Sequence, residues 1–283
     1  MVGDQPSERV GGIADEPPLG MLWWCGAVSG ILDHAIRIRS EADMGRKLAG
    51  GPAIFLSASV PYERKRPADM GAREWAPRAR RNREYLKSAE PAQIRAAVVA
   101  MTRAMLTRGM RLVFGAHPAI SPMVLAAARD MQAPAGSIVI FQSEWFLQDL
   151  PNSTLELAAW QSGALVLTSV AAGARMSSDE KRSKSLAHMR EMMVSVPKLR
   201  GAIFVGGMEG VADEANIFRA RHPEAPMYAV ASTGSSAREL WGEKRAAFSG
   251  TLADPEMLAL HPSYSVVAHS ILDDMKIDRR PYV

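Results

Sequence analysis

The chain has 283 residues, of which 47% are hydrophobic and 23% are charged, so it can bury a sizeable core and is not a disordered tail. Its single cysteine, Cys25, excludes an intrachain disulfide framework and a four-cysteine zinc site, and it favours a reducing, cytoplasmic location. The six histidines have no spacing that is typical of a metal site, and we expect neither a metal nor a resident cofactor.

The net charge of +4 is concentrated in one segment. Residues 64–87 hold nine basic and three acidic residues, so the rest of the chain sums to about −2. A nucleic-acid binder usually spreads basic charge over a face, which makes a nucleic-acid partner the less favoured interpretation. The longest apolar run, residues 21–32, is too short to cross a bilayer, and acidic residues precede it where a signal peptide would be basic. We therefore expect no membrane partner.

The N-terminal region differs in composition from the rest. Residues 1–20 are rich in Gly, Pro, Asp and Glu and are predicted to be poorly ordered. Residues 21–50 read as helical towards their end. We therefore expect residues 1–50 to form a flexible N-terminus with a helical appendage, and residues 51–283 to form a single Rossmann-like nucleotide-binding domain.

Short, almost wholly apolar runs recur through this domain and predict six strands. They lie at residues 53–57, 111–115, 137–141, 164–168, 202–205 and 227–231. Strands of this kind are buried on both faces, as in a parallel sheet covered by helices. The stretches between them predict helices at residues 91–108, 178–196, 210–221 and 235–247, and another follows at 262–275. The alternation indicates an α/β fold, a doubly wound and mostly parallel sheet with helices on both faces.

The arginine-rich stretch at about residues 62–88 is too long and too charged for an ordinary connection. We interpret it as a lid-like or irregular insertion. It is either a solvated surface segment or an electropositive lid over a phosphorylated ligand. In the second case its Trp75 and Tyr85 are candidates for stacking on a base.

Ligands of open parallel sheets bind at the carboxyl ends of the strands, where loops lead into helices. Four such loops are small and rich in glycine or hydroxyl groups, which suits close approach of a phosphate to the backbone and to a helix N-terminus. The same residue types also suit tight turns without a ligand. The candidate ligand-binding residues are Ser57, Ser59, Gly115, His117, Ser121, Gly206, Gly207, Met208, Glu209, Gly210, Thr233, Gly234 and Ser235.

Residues 188–214 (HMREMMVSVPKLRGAIFVGGMEGVADE) resemble the signature of the Lonely Guy (LOG) phosphoribohydrolases. Arg190 precedes Gly206 by the spacing of that family's catalytic arginine, and Glu214 takes the place of its catalytic glutamate if the loop holds one inserted residue. Residues 115–128 (GAHPAISPMVLAAA) look like the other nucleotide loop of the wider SLOG superfamily. The resemblance covers about residues 51–247 and implies a Rossmann-like fold in which Arg190 and Glu214 are the candidate catalytic pair.

Three departures from the LOG pattern bear on function. Val205 replaces a proline, Glu191 replaces a lysine, and the loop reads Gly-Gly-Met-Glu-Gly-Val. Two phosphate contacts are thereby lost and a carboxylate, Glu209, is gained, which weakens monophosphate binding. The variant loop looks more like the sensor-type branch of the superfamily. That branch implies a nucleotide-derived signal, such as an ADP-ribose relative or a cyclic nucleotide, whose diol a carboxylate would bind.

Three functions remain open at this point. The favoured one is a sensor of a nucleotide-derived small molecule, in a bacterial defence or stress-signalling system and as a homo-oligomer. The alternative is a LOG-like phosphoribohydrolase that cleaves the N-glycosidic bond of a nucleoside monophosphate, provided that Arg190 and Glu214 converge on the ligand. DNA binding of the DprA kind, favoured only by the basic segment, ranks last. In the plainest interpretation, Arg190 is a surface arginine and Glu214 complements a helix dipole.

Overall fold

The computed structural model describes residues 30–66, 70–160, 163–173 and 176–278. The chain divides into two compact units, residues 1–34 and residues 35–283. Residues 30–33 are the described helical part of the first unit. The stretch predicted to be poorly ordered, residues 1–20, lies outside the described residues.

The second unit alternates strands and helices. Its strands are β1 (Ile36–Ile38), β2 (Ala53–Ser59), β3 (Arg111–Gly115), β4 (Ile138–Ser143), β5 (Gly163–Thr168), β6 (Leu199–Gly206) and β7 (Met227–Val230). Its helices are α1 (Glu41–Lys47), α2 (Ala72–Ser88), α3 (Pro91–Thr107), α4 (Ser121–Asp130), α5 (Asn152–Ala159), α6 (Ser178–Val194), α7 (Glu209–Arg221), α8 (Ser235–Glu243), α9 (Met257–Leu260) and α10 (Tyr264–Asp274). None of the helices within the described ranges has the length and apolar character needed to traverse a lipid bilayer.

The strands form one parallel sheet in the order β1-β5-β4-β3-β2-β6-β7. The chain moves outward from β2 through β3 and β4 to β5, and then returns to β6 on the other side of β2. The order therefore reverses between β2 and β6, where ligand sites of such sheets form. The register brings the ends of these two strands level, because Ser59 lies opposite Gly206. The predicted doubly wound α/β fold is confirmed.

Burial on both faces of the sheet explains why the apolar runs form strands. On one face, Phe55 of β2 stacks on Phe218 of α7 with ring centroids 6.0 Å apart. Phe204 of β6 packs edge to face against the Phe55 ring. The other face carries α3, against which α10 packs. Full burial of one such side chain contributes about 1.5–3 kcal/mol to the free energy of folding. Because side chains on both faces of the sheet are buried, the helices on both faces stabilise it.

The sheet begins earlier in the chain than the sequence predicts. Residues 36–47, expected to belong to a helical appendage, supply β1 and α1 to the second unit, which starts at Ala35 and not near residue 51. Ile36 lies opposite Val166 of β5, and the side chains of Ile38 and Met44 are fully buried. A strand of three residues is too short to show a recognisable periodicity in the sequence. It is stabilised by its pairing with β5, which lies far away in sequence.

The arginine-rich insertion is largely a regular helix, α2, of 17 residues. It packs on α8, and its inner face buries Asn82 and Tyr85. Arg81 lies over the Tyr85 ring at 4.6 Å and pairs with Glu239 at 2.5 Å. Because Tyr85 is 1% exposed, its ring belongs to this packing and has no face for a ligand base.

Candidate functional site

A cavity of about 650 Å³ opens at the carboxyl ends of β2, β3 and β4. Helices α6 and α7 form one side of it, and the segment of residues 60–66, which has no regular secondary structure and which we call the strap, forms another. Of the candidate site residues, those that line the cavity are Ser59, Gly115, His117, Met208, Gly210, Arg190 and Glu214. The structure thus brings together residues from three of the four predicted loops.

The two candidate catalytic residues are in contact on the cavity wall. Nε of Arg190 lies 3.5 Å from Oε1 of Glu214, and the two side chains are only 19% and 15% exposed. Ser57 lies behind the wall and is 1% exposed; its hydroxyl donates to Oε2 of Glu214 at 2.5 Å. Arg190 also donates to Asp213 at 3.0 Å. The arginine is therefore held between two carboxylates of α7.

The environment of Glu214 pulls its pKa in two directions. Burial raises the pKa of Glu214, whereas the positive charge of Arg190 and the hydrogen bond from Ser57 lower it, and burial prevails. Gly210 allows Arg190 to lie this close, since a Cβ at that position would be 2.7 Å from Nη2 of Arg190. The local design is a buried carboxylate with a fixed cation beside it.

The glycine loop after β6 turns sharply before α7. Gly206 and Gly207 have positive φ angles of 58° and 92°, which a side chain rarely adopts. The N–H of Gly206 donates to the Thr233 hydroxyl at 2.8 Å, so this loop is tied to the end of β7. No side chain among the described residues caps the first turn of α7. Gly206 and Gly207 shape the loop, and Met208 and Gly210 face the cavity.

The strap contributes Tyr62 and Arg64 to the cavity wall. Arg64 pairs with Glu209 through a contact of 3.1 Å between Nη1 and Oε2. Asn82 of α2 accepts a hydrogen bond from the Arg64 N–H at 3.2 Å and donates one to the Tyr62 carbonyl at 3.0 Å. Glu209, a predicted ligand residue, is thus at the edge of the site and engaged with an arginine.

The far end of the cavity lies beyond β3 and β4. Nδ1 of His117 accepts a hydrogen bond from the Ala119 N–H at 3.1 Å, so the neutral ring carries its proton on Nε2. Burial lowers the pKa of His117. Gln142, Phe146 and Asp149 complete this end with an amide, an aromatic ring and a carboxylate.

Four of the predicted ligand residues lie away from the cavity and bond to the protein itself. The Thr233 hydroxyl donates to the Val230 carbonyl at 2.6 Å, and the Ser235 hydroxyl donates to the Tyr85 carbonyl at 2.9 Å. Ser121 accepts a hydrogen bond from Thr154 at 2.8 Å. A Cβ on Gly234 would lie 1.9 Å from the Ser88 carbonyl, because the end of α2 covers the loop after β7.

Several residues that line the cavity are not among the site residues predicted from the sequence. Arg182, Leu186, Met189 and Arg190 line the cavity from one face of α6, with the spacing of successive helical turns. That spacing was the available signal for Arg182, since Arg190 was already a candidate. Arg64 lies in the arginine-rich stretch that the sequence offers as an electropositive lid, and Gln142 directly follows a predicted strand, but neither pattern distinguishes these residues from their neighbours. Among the described residues, no group of three or more His, Cys, Asp or Glu side chains is arranged to hold a metal ion.

The model of one protein family, the SLOG cluster3 family, matches residues 84–264, which is more than half of the chain. The protein belongs to the SLOG cluster3 family. The predicted SLOG superfamily membership is therefore confirmed. The part of this SLOG cluster3 protein that matches runs from the last turn of α2 to the start of α10 and includes Arg190 and Glu214. It leaves out β2 and the strap. No curated protein and no solved structure gives a significant match.

Proposed function

We propose that this protein binds a nucleotide-derived signal, an ADP-ribose relative or a cyclic nucleotide, in the cavity at the switch point of the sheet. The observation that carries the proposal is that three arginines, Arg64, Arg182 and Arg190, line one cavity into which the N-terminal turn of α7 also opens. Guanidinium groups and helix N-termini both favour phosphate. Arg182 is exposed and makes no ion pair within the described ranges, so its charge remains for a ligand.

The far end of the cavity suits a base. Phe146 offers a ring for stacking, and Gln142 offers an amide. The Gln142 side-chain oxygen already accepts from the Ser143 N–H at 3.0 Å, which leaves the amide NH₂ group to donate to an acceptor on a base edge. A cavity lined both by arginines and by an aromatic ring is matched by a nucleotide, which carries phosphates and a base.

Sensing is favoured over hydrolysis because the candidate catalytic groups are already engaged. Both oxygens of Glu214 have partners, Arg190 and Ser57, and Arg190 is further held by Asp213. The departures of the glycine loop from the LOG pattern point the same way. These observations support a role as a sensor over a role as a hydrolase. The sensor-type branch of the superfamily, the homo-oligomeric state and the bacterial defence or stress-signalling setting stay predictions from the sequence.

A LOG-like phosphoribohydrolase is the second candidate, favoured by the contact between Arg190 and Glu214 on the cavity wall. Hydrolysis of an N-glycosidic bond delivers hydroxide from water to the ribose carbon and a proton to the departing base. A glutamate whose pKa is raised by burial is suited to carry that proton, and the arginine is suited to a phosphate.

Thermal unfolding with a panel of nucleotides tests the binding proposal. ADP-ribose or a cyclic nucleotide at 100 times its Kd is expected to stabilise the folded protein by about 2.7 kcal/mol. Arg190→Ala is expected to abolish the gain. Arg129→Ala, which removes an arginine from an exposed ion pair with Glu156, serves as the control and is expected to retain it. A panel in which no nucleotide raises the melting temperature contradicts the proposal.

Hydrolysis is tested by incubating the protein with nucleoside monophosphates and separating the products by chromatography. We expect no free base. If the wild-type protein releases free base and Glu214→Ala does not, the proposed sensing function is refuted and phosphoribohydrolase activity is supported.

A further inference from the structure

One buried amide connects the strap to the glycine loop. Asn82 of α2 is 4% exposed, and its side chain reaches two segments that lie far away in sequence. Its Nδ2 group donates to the Tyr62 carbonyl at 3.0 Å and to Sδ of Met208 at 3.3 Å, while Oδ1 accepts from the Arg64 N–H at 3.2 Å. The backbone around Arg64 is therefore fixed relative to the loop that begins α7.

The guanidinium of Arg64 is also held at its tip. Its Nη1 lies 3.1 Å from Oε2 of Glu209, the first residue of α7. The side chain of Arg64 is 39% exposed and lines the cavity, so its remaining N–H groups are open to a further partner. Glu209 neutralises the charge that Arg64 presents to the cavity. As the first residue of α7 it also adds a negative charge at a helix N-terminus, which would otherwise favour an anion.

We propose that Arg64 recognises an anionic group of the ligand, that Asn82 positions Arg64, and that Glu209 competes with the ligand for it. This inference rests on the proposed function, since the anion is taken to be a phosphate of the nucleotide. It makes the strap a specificity element: only a ligand whose charge outcompetes Glu209 gains the Arg64 contact. A singly charged phosphate competes less well than a diphosphate, which favours ADP-ribose relatives.

The strap provides its own control for charge. Arg66 is an exposed arginine two residues from Arg64, but it does not line the cavity and makes no ion pair within the described residues. Arg64→Ala and Arg66→Ala remove the same charge from the same segment. We expect Arg64→Ala to weaken ADP-ribose binding by about tenfold or more, the loss expected for one charge-assisted hydrogen bond. Arg66→Ala is expected to change it by less than about twofold, since its charge is screened by solvent.

Glu209→Gln distinguishes competition from a direct ligand contact. Removal of the carboxylate leaves Arg64 without its counter-ion, so the affinity for ADP-ribose is expected to rise by about tenfold. The rise is expected to disappear in Glu209→Gln combined with Arg64→Ala. A fall in affinity in Glu209→Gln would mean that Glu209 itself binds the ligand, for example a ribose diol, and would overturn the proposed competition.

A double-mutant cycle, measured by isothermal titration calorimetry, tests whether Asn82 acts through Arg64. Asn82→Ala is expected to weaken ADP-ribose binding in the wild-type protein but not further in Arg64→Ala. Additive losses would show that Asn82 only supports the fold, and would refute a positioning role. Asn82→Asp provides the same test if the alanine variant does not fold, because it retains an acceptor for the Arg64 N–H but cannot donate to Tyr62.

Inorganic pyrophosphate separates this inference from the proposed function. Nucleotide binding that is indifferent to Arg64→Ala refutes the inference alone. Pyrophosphate binding that depends on Arg64, in a protein that binds no nucleotide, refutes the proposed function and supports the anion-recognition role of Arg64. A wild-type protein that binds neither probe refutes both.

Discussion

Gly210 holds the candidate site open for Arg190, and its replacement by alanine tests the site without threatening the fold. The added Cβ would lie 2.7 Å from Nη2 of Arg190, where ordinary contacts begin at 3.4 Å. The guanidinium therefore has to move away, and with it the contacts to Glu214 and Asp213. Because Gly210 lies in the first turn of α7 without a positive φ, the backbone accepts alanine.

The two energetic consequences nearly cancel for stability. A partly exposed ion pair contributes about 0.2–1 kcal/mol, whereas alanine in place of glycine within a helix gains up to about 1 kcal/mol. We therefore expect the free energy of unfolding of Gly210→Ala to lie within about 1 kcal/mol of the wild-type value. The affinity for ADP-ribose is expected to fall by about tenfold, because Arg190 no longer points where the cavity needs it.

Urea denaturation and calorimetric titration with ADP-ribose measure the two quantities separately. Gly45→Ala in α1 is the matched control, since a Cβ there meets nothing within 4 Å and the residue does not line the cavity. It is expected to raise stability and leave binding unchanged. Unchanged binding in Gly210→Ala as well would refute the reasoning, because it would show that the placement of Arg190 does not matter to the ligand.

Three further outcomes follow from single residues. Gly234→Ala is expected to lower the free energy of unfolding by about 3 kcal/mol in urea, because its φ is 78° and the Cβ would overlap the Ser88 carbonyl; a loss below about 1 kcal/mol would contradict this. Burial lowers the pKa of His117, so as the pH falls the imidazole is protonated in the unfolded chain before it is protonated in the folded protein. The wild-type protein is therefore expected to lose stability relative to His117→Gln between about pH 7 and pH 5. Free energies of unfolding that change equally with pH in the two proteins would contradict this. The raised pKa of Glu214 has the opposite effect on stability, because the carboxylate is protonated in the folded protein first. The wild-type protein is therefore expected to gain stability relative to Glu214→Gln over the same fall in pH, and a relative loss would contradict the raised pKa.

The sheet was predictable because each of its central strands is an apolar run that only two-sided burial can satisfy. All six predicted strands are present. An apolar run such as 202–205 favours aggregation unless it is buried as a strand. The strand β1 was not predictable, since its three residues alternate apolar and charged side chains and depend on β5 for pairing. Helix α2 left a weak signal: Trp75, Asn82 and Tyr85 recur at helical spacing within a charged stretch.

The candidate site was predictable only in part, because the same residue types serve ligands and turns. Arg190 and Glu214 were located by their resemblance to a known signature, and the structure places them in contact. Thr233 and Ser235 look equally suited to phosphate in the sequence, but their hydroxyls bond to backbone carbonyls. What decides between these roles is whether a distant segment covers the loop, and α2 covers this one. Local pattern contains no information about such a contact.

The position of β2 has a consequence for how the protein is made. Ser57 and Glu214 bond to each other across 157 positions of sequence, and β2 obtains its second neighbour only when β6 has been translated. Until then β2, an interior strand of the finished sheet, is an apolar edge on the nascent chain and is open to pairing with other chains. Substitutions that delay the docking of β6 should therefore reduce the soluble yield from the ribosome even when the purified protein behaves normally.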